Sequence, residues 1–496
     1  MIAASCCLSN SEAARDVSSE GEVSSGDFRI EKKRSAPDAS SKALAHYAMG
    51  IIYDNEGKAE EAIREYKAAL ALEPKVSYIH CRLGADFFLA KNIDKAIEEF
   101  NIAKSLDPSD AKPRFLLALA YTSLNKLDLA QKEYEDVVRL NPNDITALGS
   151  LADLFVVQEK MEDAARIYEK LIEKEKSSSL LYFNLGVIYS RLGELSRAIV
   201  ALNKAIELEP DYLEAYIGLA VLCDMNKDIP GAIANFEKAL RIDPLNIKVY
   251  YSLGNLYHRA NRLDDAAHQY EILVKLSPKD LEAYIQWSGI YIRAKRPKEA
   301  IAVLNRALSE SIRDTSLYLA LGYAYSADSR EEDALKYYRM ALDMSPDSAL
   351  VRFYLGAYYD KIKERPLAIS EFRTAIRLDP KFSDAYNYLG YMHAEEGSNL
   401  DEAIALIEKA IELEPNNGAY IDSLGWAYFQ KGEFDEALIE LEKAVKLEPN
   451  DPTIREHMGD VYFQKGLLDK AREEWKRSLK LDPKQNKLRE KLKKKR

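Results

Sequence analysis

Cysteine is scarce in this chain: Cys6, Cys7, Cys81 and Cys223 are the only four in 496 residues. No two are spaced as CxxC, which excludes the common zinc and dithiol motifs. Cys81 and Cys223 stand alone inside helical patterns and read as buried small hydrophobes. The six histidines (His46, His80, His258, His268, His393 and His457) form neither HxxxH nor HExxH. A metal site is therefore not expected. There is no glycine-rich phosphate loop and no serine or cysteine in a nucleophile elbow, so no cofactor is expected. No uncharged apolar run reaches the ~18 residues of a membrane span.

Positive charge is also in short supply. Eight Lys/Arg and one Glu give residues 484–496 a charge of +7, which leaves −18 on the rest of a chain whose net charge is −11. A nucleic-acid binder carries a basic face, and this body repels polyanions. The basic tail reads as solvated, or as a contact for a membrane surface or an acidic partner. With no constellation of nucleophile, base and orienting group, a non-enzymatic role is expected.

What the sequence does have is a period. Pro74, Pro108, Pro142, Pro210, Pro244, Pro278, Pro346, Pro380, Pro415, Pro449 and Pro483 recur at steps of 34 or twice 34, with a single 35 before Pro415. This frames thirteen units, from 43–76 through 452–485. The eighth residue of each is small (Gly50, Gly84, Ala118 through Gly459), and the twentieth is Ala in all thirteen, from Ala62 to Ala471. The pattern predicts two helices per unit, with the small eighth residue of helix A meeting the alanine at position 20, on helix B, at close approach. Tyr53 and Tyr428 are expected to fill wider gaps. Proline near position 32 ends helix B, because it lacks an N–H and disfavours helix before it. Pro113, Pro230, Pro297, Pro366 and Pro452 sit at or near helix starts, where the missing N–H costs little. The proline slot is empty at Lys176 and Ile312. The array thus divides into blocks 43–178, 179–314 and 315–485, with softer joints expected between them.

These leucine-glycine, tyrosine, alanine, aromatic and proline positions resemble the tetratricopeptide repeat across residues 43–485. The resemblance implies an all-α fold, a right-handed α-solenoid whose A helices line a concave groove that binds extended segments of other proteins. Two well-known variants do not fit. The chaperone-tail clamp needs Lys at position 5, which no unit supplies, and its first Lys and Asn are replaced by Tyr47 and Ile51. The asparagine ladder of the sugar-transferase superhelix needs Asn at position 6, which only Asn184 provides.

In such repeats, positions 2, 5, 9, 12 and 13 of helix A share one face. Units 7 and 8 offer Lys248, Tyr251, Asn255, His258, Arg259, Gln286 and Arg293, a stretch that is polar and locally basic. They suit an acidic peptide or a terminal carboxylate. In units 9 to 13 the face positions include Tyr323, Phe353, Asn387, Tyr391, Trp426, Phe429 and Phe463, among Asp384, Glu395, Asp422, Glu456 and Asp460. Aromatics among carboxylates suit an extended segment with apolar anchors and Lys or Arg. Tyr391 and Trp426 are the principal candidates. His46 and His80 share position 4 of successive units and read as packing or rim residues.

The ends differ from the array. Residues 1–42 form a Ser-, Glu- and Asp-rich leader that reads as a disordered tether. Residues 486–496 read as a basic cap, with Leu488 and Leu492 laid over the last repeat. The run AYNYLGYMHAEEGSNLDEAIALIEKAIELEPNNGAYIDSLGWAYFQKGEFDEAL resembles the C-terminal block of bacterial tetratricopeptide proteins, often lipoproteins. Ala3, Ala4 and Ser5 before Cys6 approximate a lipobox, although no charged n-region precedes them and Ala3 replaces the usual leucine. Cys6 is thus a candidate for lipidation if translation starts upstream of Met1. The expected function is a binding scaffold supporting a bacterial envelope or secretion complex. The alternatives are a cytoplasmic adaptor or regulator, and an accessory subunit of a transferase.

Overall fold

A computed structural model describes residues 38–493; Cys6 and the rest of the leader before Asp38 lie outside the described residues. The described residues contain 27 α-helices and no strand. In eleven of the thirteen repeats helix A begins on the first residue of the 34-residue frame, as at Ser77, Ile145 and Leu281. The first helix A starts earlier, at Ala39, inside the stretch assigned to the leader. Asp38 accounts for this: its carboxylate accepts the Ser41 N–H at 2.7 Å and caps the helix. The last residue of a unit often does the same for its successor. Asp144 caps the helix from Ile145, and Asp280 the helix from Leu281.

The packing corrects one expectation. The small residue at position 8 is covered chiefly by the side chain at position 24 of helix B, with the carbonyl of the position-20 alanine behind it. A Cβ on Gly84 would lie 2.6 Å from the Phe100 ring and 3.3 Å from the Ala96 carbonyl oxygen. On Gly459 it would lie 2.4 Å from Trp475. Position 24 is a buried wedge throughout, from Tyr66 and Phe100 to Leu441 and Trp475, and the alanines at position 20 are fully buried in all thirteen repeats. Bulk at 24 therefore demands absence of bulk at 8, since interiors are close-packed.

The turn between helices A and B places position 15 in the left-handed region in every repeat. Five of these residues are glycines, such as Gly57 and Gly193, but others are Lys91, Asn125 and Glu159. The extra residue of repeat 11 is absorbed here: Gly397 and Asn399 both have positive φ, and helix B of that repeat starts at Leu400. At the joint lacking proline near Ile312, helix B ends early at Ser309. Ser311 takes φ 64°, and the Arg313 guanidinium donates to the Leu308 and Ile312 carbonyls at 2.9 and 2.8 Å.

The described residues divide into two compact units, 38–249 and 250–493, with the division inside the helix Ile247–Arg259. In the first, one apolar core runs from Ala62 to Leu222. In the second, Phe372 packs with Leu389 and Met392, Ile407 with Leu424 and Ala427, and Leu441 with Ile454 and Trp475. The helix Asn486–Lys493 closes this last cluster with fully buried Leu488 and partly buried Leu492. Cys81 is buried, and burial pushes its thiol up to about 12. Cys223 is only half-buried, so it is less of a core residue than its isolation suggested.

Candidate functional site

Two concavities of the second unit are lined by A helices. The first, about 540 Å³, is formed by helices Leu281–Arg293, Thr315–Ala327 and Ala349–Lys361. Its floor is apolar: Ile285, Ile292, Leu319, Tyr323, Leu350 and Tyr354, with Arg293 at its edge. Gly289 leaves open space there, since a Cβ on it would meet nothing within 4 Å. The second, about 440 Å³, is formed by the end of Ala349–Lys361, by Ser383–Glu396 and Gly418–Lys431, and by the start of Pro452–Gln464. Tyr388, Tyr391 and Met392 line it together with Asp360, Asn387, Glu395, Asp422, Glu448 and Asp451.

The central candidates separate. Arg293 Nη1 donates to His258 Nε2 at 3.0 Å; burial and the adjacent Arg293 push the imidazole below its usual value, which favours the neutral, accepting form. Asn255 is exposed, but its side-chain oxygen accepts the Tyr270 hydroxyl at 2.9 Å. Tyr251 is half-buried, its phenol held high by burial and by a hydrogen bond to Asp280. Gln286 donates to Glu282 at 2.6 Å. Arg259 is exposed. Lys248 is exposed too and belongs to the first unit.

The C-terminal candidates fall into three environments. Tyr323, half exposed, meets Tyr354 edge-on at 6.4 Å. Phe353 is the hub of an aromatic cluster, 5.7 Å from Tyr354 and Phe372, 5.1 Å from Phe382 and 5.2 Å from Tyr388. Tyr391 faces the second concavity, and burial, then Glu395 and Asp422, raise its phenol above the usual range. Trp426 is sandwiched, 4.8 Å from Phe429 and 4.2 Å from His457, both nearly parallel to it. Phe429 also packs 5.7 Å from Phe434. Asp422 is buried and bonded to His457, so it is not an open carboxylate. Asp460 accepts the Trp475 Nε1–H at 3.0 Å and Lys491 Nζ at 2.6 and 2.9 Å. Asp384 accepts the Tyr420 hydroxyl at 2.5 Å.

The histidines at position 4 are pairing residues: His46 and His80 each lie 2.6 Å from a glutamate, Glu65 and Glu99. Among the described residues no group of three or more His, Cys, Asp or Glu is arranged to hold a metal ion. No described helix is long and apolar enough to cross a membrane.

Sequence reading missed most of the first concavity. Ile285, Ile292, Leu319 and Leu350 are apolar residues at groove positions, and apolarity alone reads as core. Their signal was positional, since they occupy places 5, 12, 5 and 2 of their repeats.

Family models for the tetratricopeptide repeat match residues 43–76, 115–179, 179–212, 251–316, 315–348, 361–418 and 453–485. A TPR repeat model matches 226–260 and 425–466. The matches at 43–76, 179–212 and 315–348 coincide with units one, five and nine of the proline-derived frame. No curated protein matches the chain. Among solved structures, the Cut9–Hcn1 hetero-tetramer of APC/C is 15% identical over 92% of this chain and 96% of that one, with a TM-score of 0.42. The C-terminal part of a TPR repeat-containing protein from Cytophaga hutchinsonii is 17% identical over 48% of this chain and 98% of that one, with a TM-score of 0.44. YrrB, described as a TPR protein with an unusual peptide-binding site, is 22% identical over 38% of this chain and 96% of that one, with a TM-score of 0.33. Repeat models that together match most of the residues between 43 and 485, on a fold of paired helices in the same frame, show that the chain belongs to the tetratricopeptide-repeat family: an all-α solenoid that serves as a protein-interaction scaffold or adaptor.

Proposed function

We propose that the concave face of the second unit binds extended segments of partner proteins, without catalysis of its own. The observation that carries this reading is the pair of concavities, about 540 and 440 Å³, lined by A-helix side chains and joined by the aromatic series Tyr323, Tyr354, Phe353 and Tyr388. Aromatic side chains supply large contact area at low entropy cost, which is why they anchor protein interfaces. The acidity of the body supports protein rather than nucleic acid as the partner. Affinity capture from the native host, with wild type beside Tyr323→Ala and Tyr391→Ala, tests the site. Loss of captured proteins with either variant is expected; an unchanged set removes both concavities as the binding surface.

We place the scaffold at a bacterial envelope, anchored through Cys6, on the strength of the lipobox-like Ala3-Ala4-Ser5-Cys6 run. Intact-mass measurement of the protein from membrane fractions of its host tests that placement. A mass without acyl chains, in the soluble fraction, would leave the adaptor reading.

A further inference from the structure

Resting on that groove reading, we infer that the second unit takes its segment in one direction only: a carboxylate-bearing end at Arg293, an apolar middle on the Tyr323 floor, and a Lys- or Arg-bearing end at Asn387.

At the first end, the Arg293 guanidinium hydrogen-bonds a neutral imidazole and meets no carboxylate among the described residues. An arginine whose one polar partner is His258 retains N–H donors for a carboxylate. The middle is the apolar floor of Ile292, Leu319, Tyr323 and Tyr354. The floor continues by ring contact: Tyr354 to Phe353 at 5.7 Å, and Phe353 to Tyr388 at 5.2 Å. Tyr388 lines the second concavity.

At the far end the lining carries Asp360, Glu395 and Glu448 and neither Lys nor Arg. Asn387 Oδ1 and Asp360 Oδ1 are shielded from solvent and accept no hydrogen bond. Arg365 Nε stands 3.9 Å from Asp360 Oδ1, beyond hydrogen-bond reach, and its guanidinium pairs with Glu396. Both unsatisfied atoms are acceptors, so the group that satisfies them brings hydrogen-bond donors, N–H or O–H.

The chain itself shows which donor belongs there. Position 5 of one repeat faces position 6 of the next helix along the stack. Asp422 so meets His457 at 3.0 Å, and Glu456 so meets Lys491 Nζ at 2.8 Å. The same register sets Asn387 opposite Ser423, whose hydroxyl turns back to the Ala419 carbonyl at 2.9 Å. The ladder is filled by basic side chains at two successive rungs and by none at Asn387.

The test is selection of displayed random peptides of about twelve residues on the full-length chain. Binding is then measured by fluorescence polarisation of the best peptide and of a synthetic peptide with its residue order reversed. Enriched peptides are expected to carry acidic and basic residues at opposite ends, in one order, around an apolar centre. The reversed peptide should bind about tenfold or more weakly, equivalent to about 1.4 kcal/mol. Arg293→Glu should remove the preference at the acidic end alone, and Asn387→Lys at the basic end alone. Equal binding of the reversed peptide, or enrichment without charge order, overturns the directional inference and leaves the groove intact. Failure to enrich any peptide, or enrichment that Tyr323→Ala does not weaken, overturns the groove reading and this inference with it.

Discussion

His457 reaches across the last two repeats and sets its Nδ1 3.0 and 3.1 Å from the two carboxylate oxygens of Asp422. Burial by itself would lower this imidazole. Asp422, with Asp460 and Glu456 beyond it, outweighs burial and holds it above its usual 6.5. Lys491, on the helix Asn486–Lys493, donates to Glu456 and Asp460. A folded value above the unfolded one means that the pair's contribution is complete below pH 6.5 and is lost as pH rises through the folded value. Between about pH 6 and pH 8, the melting temperature of the second unit should fall more steeply in wild type than in His457→Gln. Parallel slopes would show that the pair carries none of the pH dependence.

Asp86 behaves in the same sense for a different reason. Its carboxyl is buried near Asp54, and burial, then Asp54, push it up to about 8. The folded chain therefore favours the neutral acid. The contribution is complete below pH 3.8 and is lost progressively until about pH 8. Asp86→Asn, neutral at every pH, should stabilise the first unit most at pH 8 and above, with the gain vanishing in acid. Hydrogen exchange over residues 77–106 would report it, and a variant no more protected than wild type at pH 8 contradicts the burial argument.

Two glycines on A helices of neighbouring repeats should respond oppositely to the same change. A Cβ on Gly254 would lie 2.8 Å from the Tyr270 ring, which is itself buried, so Gly254→Ala should destabilise by about 1–3 kcal/mol. Gly289 is exposed on its helix with nothing within 4 Å, so Gly289→Ala should be neutral or stabilising by up to about 1 kcal/mol. Urea titrations of the two single variants decide the point; equal losses would refute the wedge account of position 8.

We propose that the two turns that lack proline, between the blocks 43–178, 179–314 and 315–485, are softer than the other joints of the array. First cuts by a low dose of protease should then fall near Lys176 or Arg313. At the second joint the guanidinium clamp on the Leu308 and Ile312 carbonyls would be the element that opens. First cuts in any A–B turn instead would argue for uniform stiffness.

Much of the fold was legible because it is written thirteen times. Alanine at position 20 and small residues at position 8 mark the helix crossing wherever they occur, and proline marks where helix B stops. The wedge at position 24 was not legible, because Tyr, Phe, Leu, Ile and Trp share bulk rather than identity. The left-handed turn was hidden for a related reason: Lys91, Glu159 and Ser329 carry a positive φ that only Gly and Asn advertise. At the groove, position predicted the face but not its partners. Asn255, Asp422 and Asp460 are engaged by Tyr270, His457 and Lys491, and those engagements depend on the side chain one helix away.

The division at Val249 and Tyr250 has an optical consequence. The only three tryptophans, Trp287, Trp426 and Trp475, all belong to the second unit. Intrinsic indole emission therefore watches that half melt and is blind to the other, whereas far-ultraviolet dichroism sums the helices of both. Overlaid traces would mean that the two halves share one cooperative transition; displaced ones would time them separately without any added label.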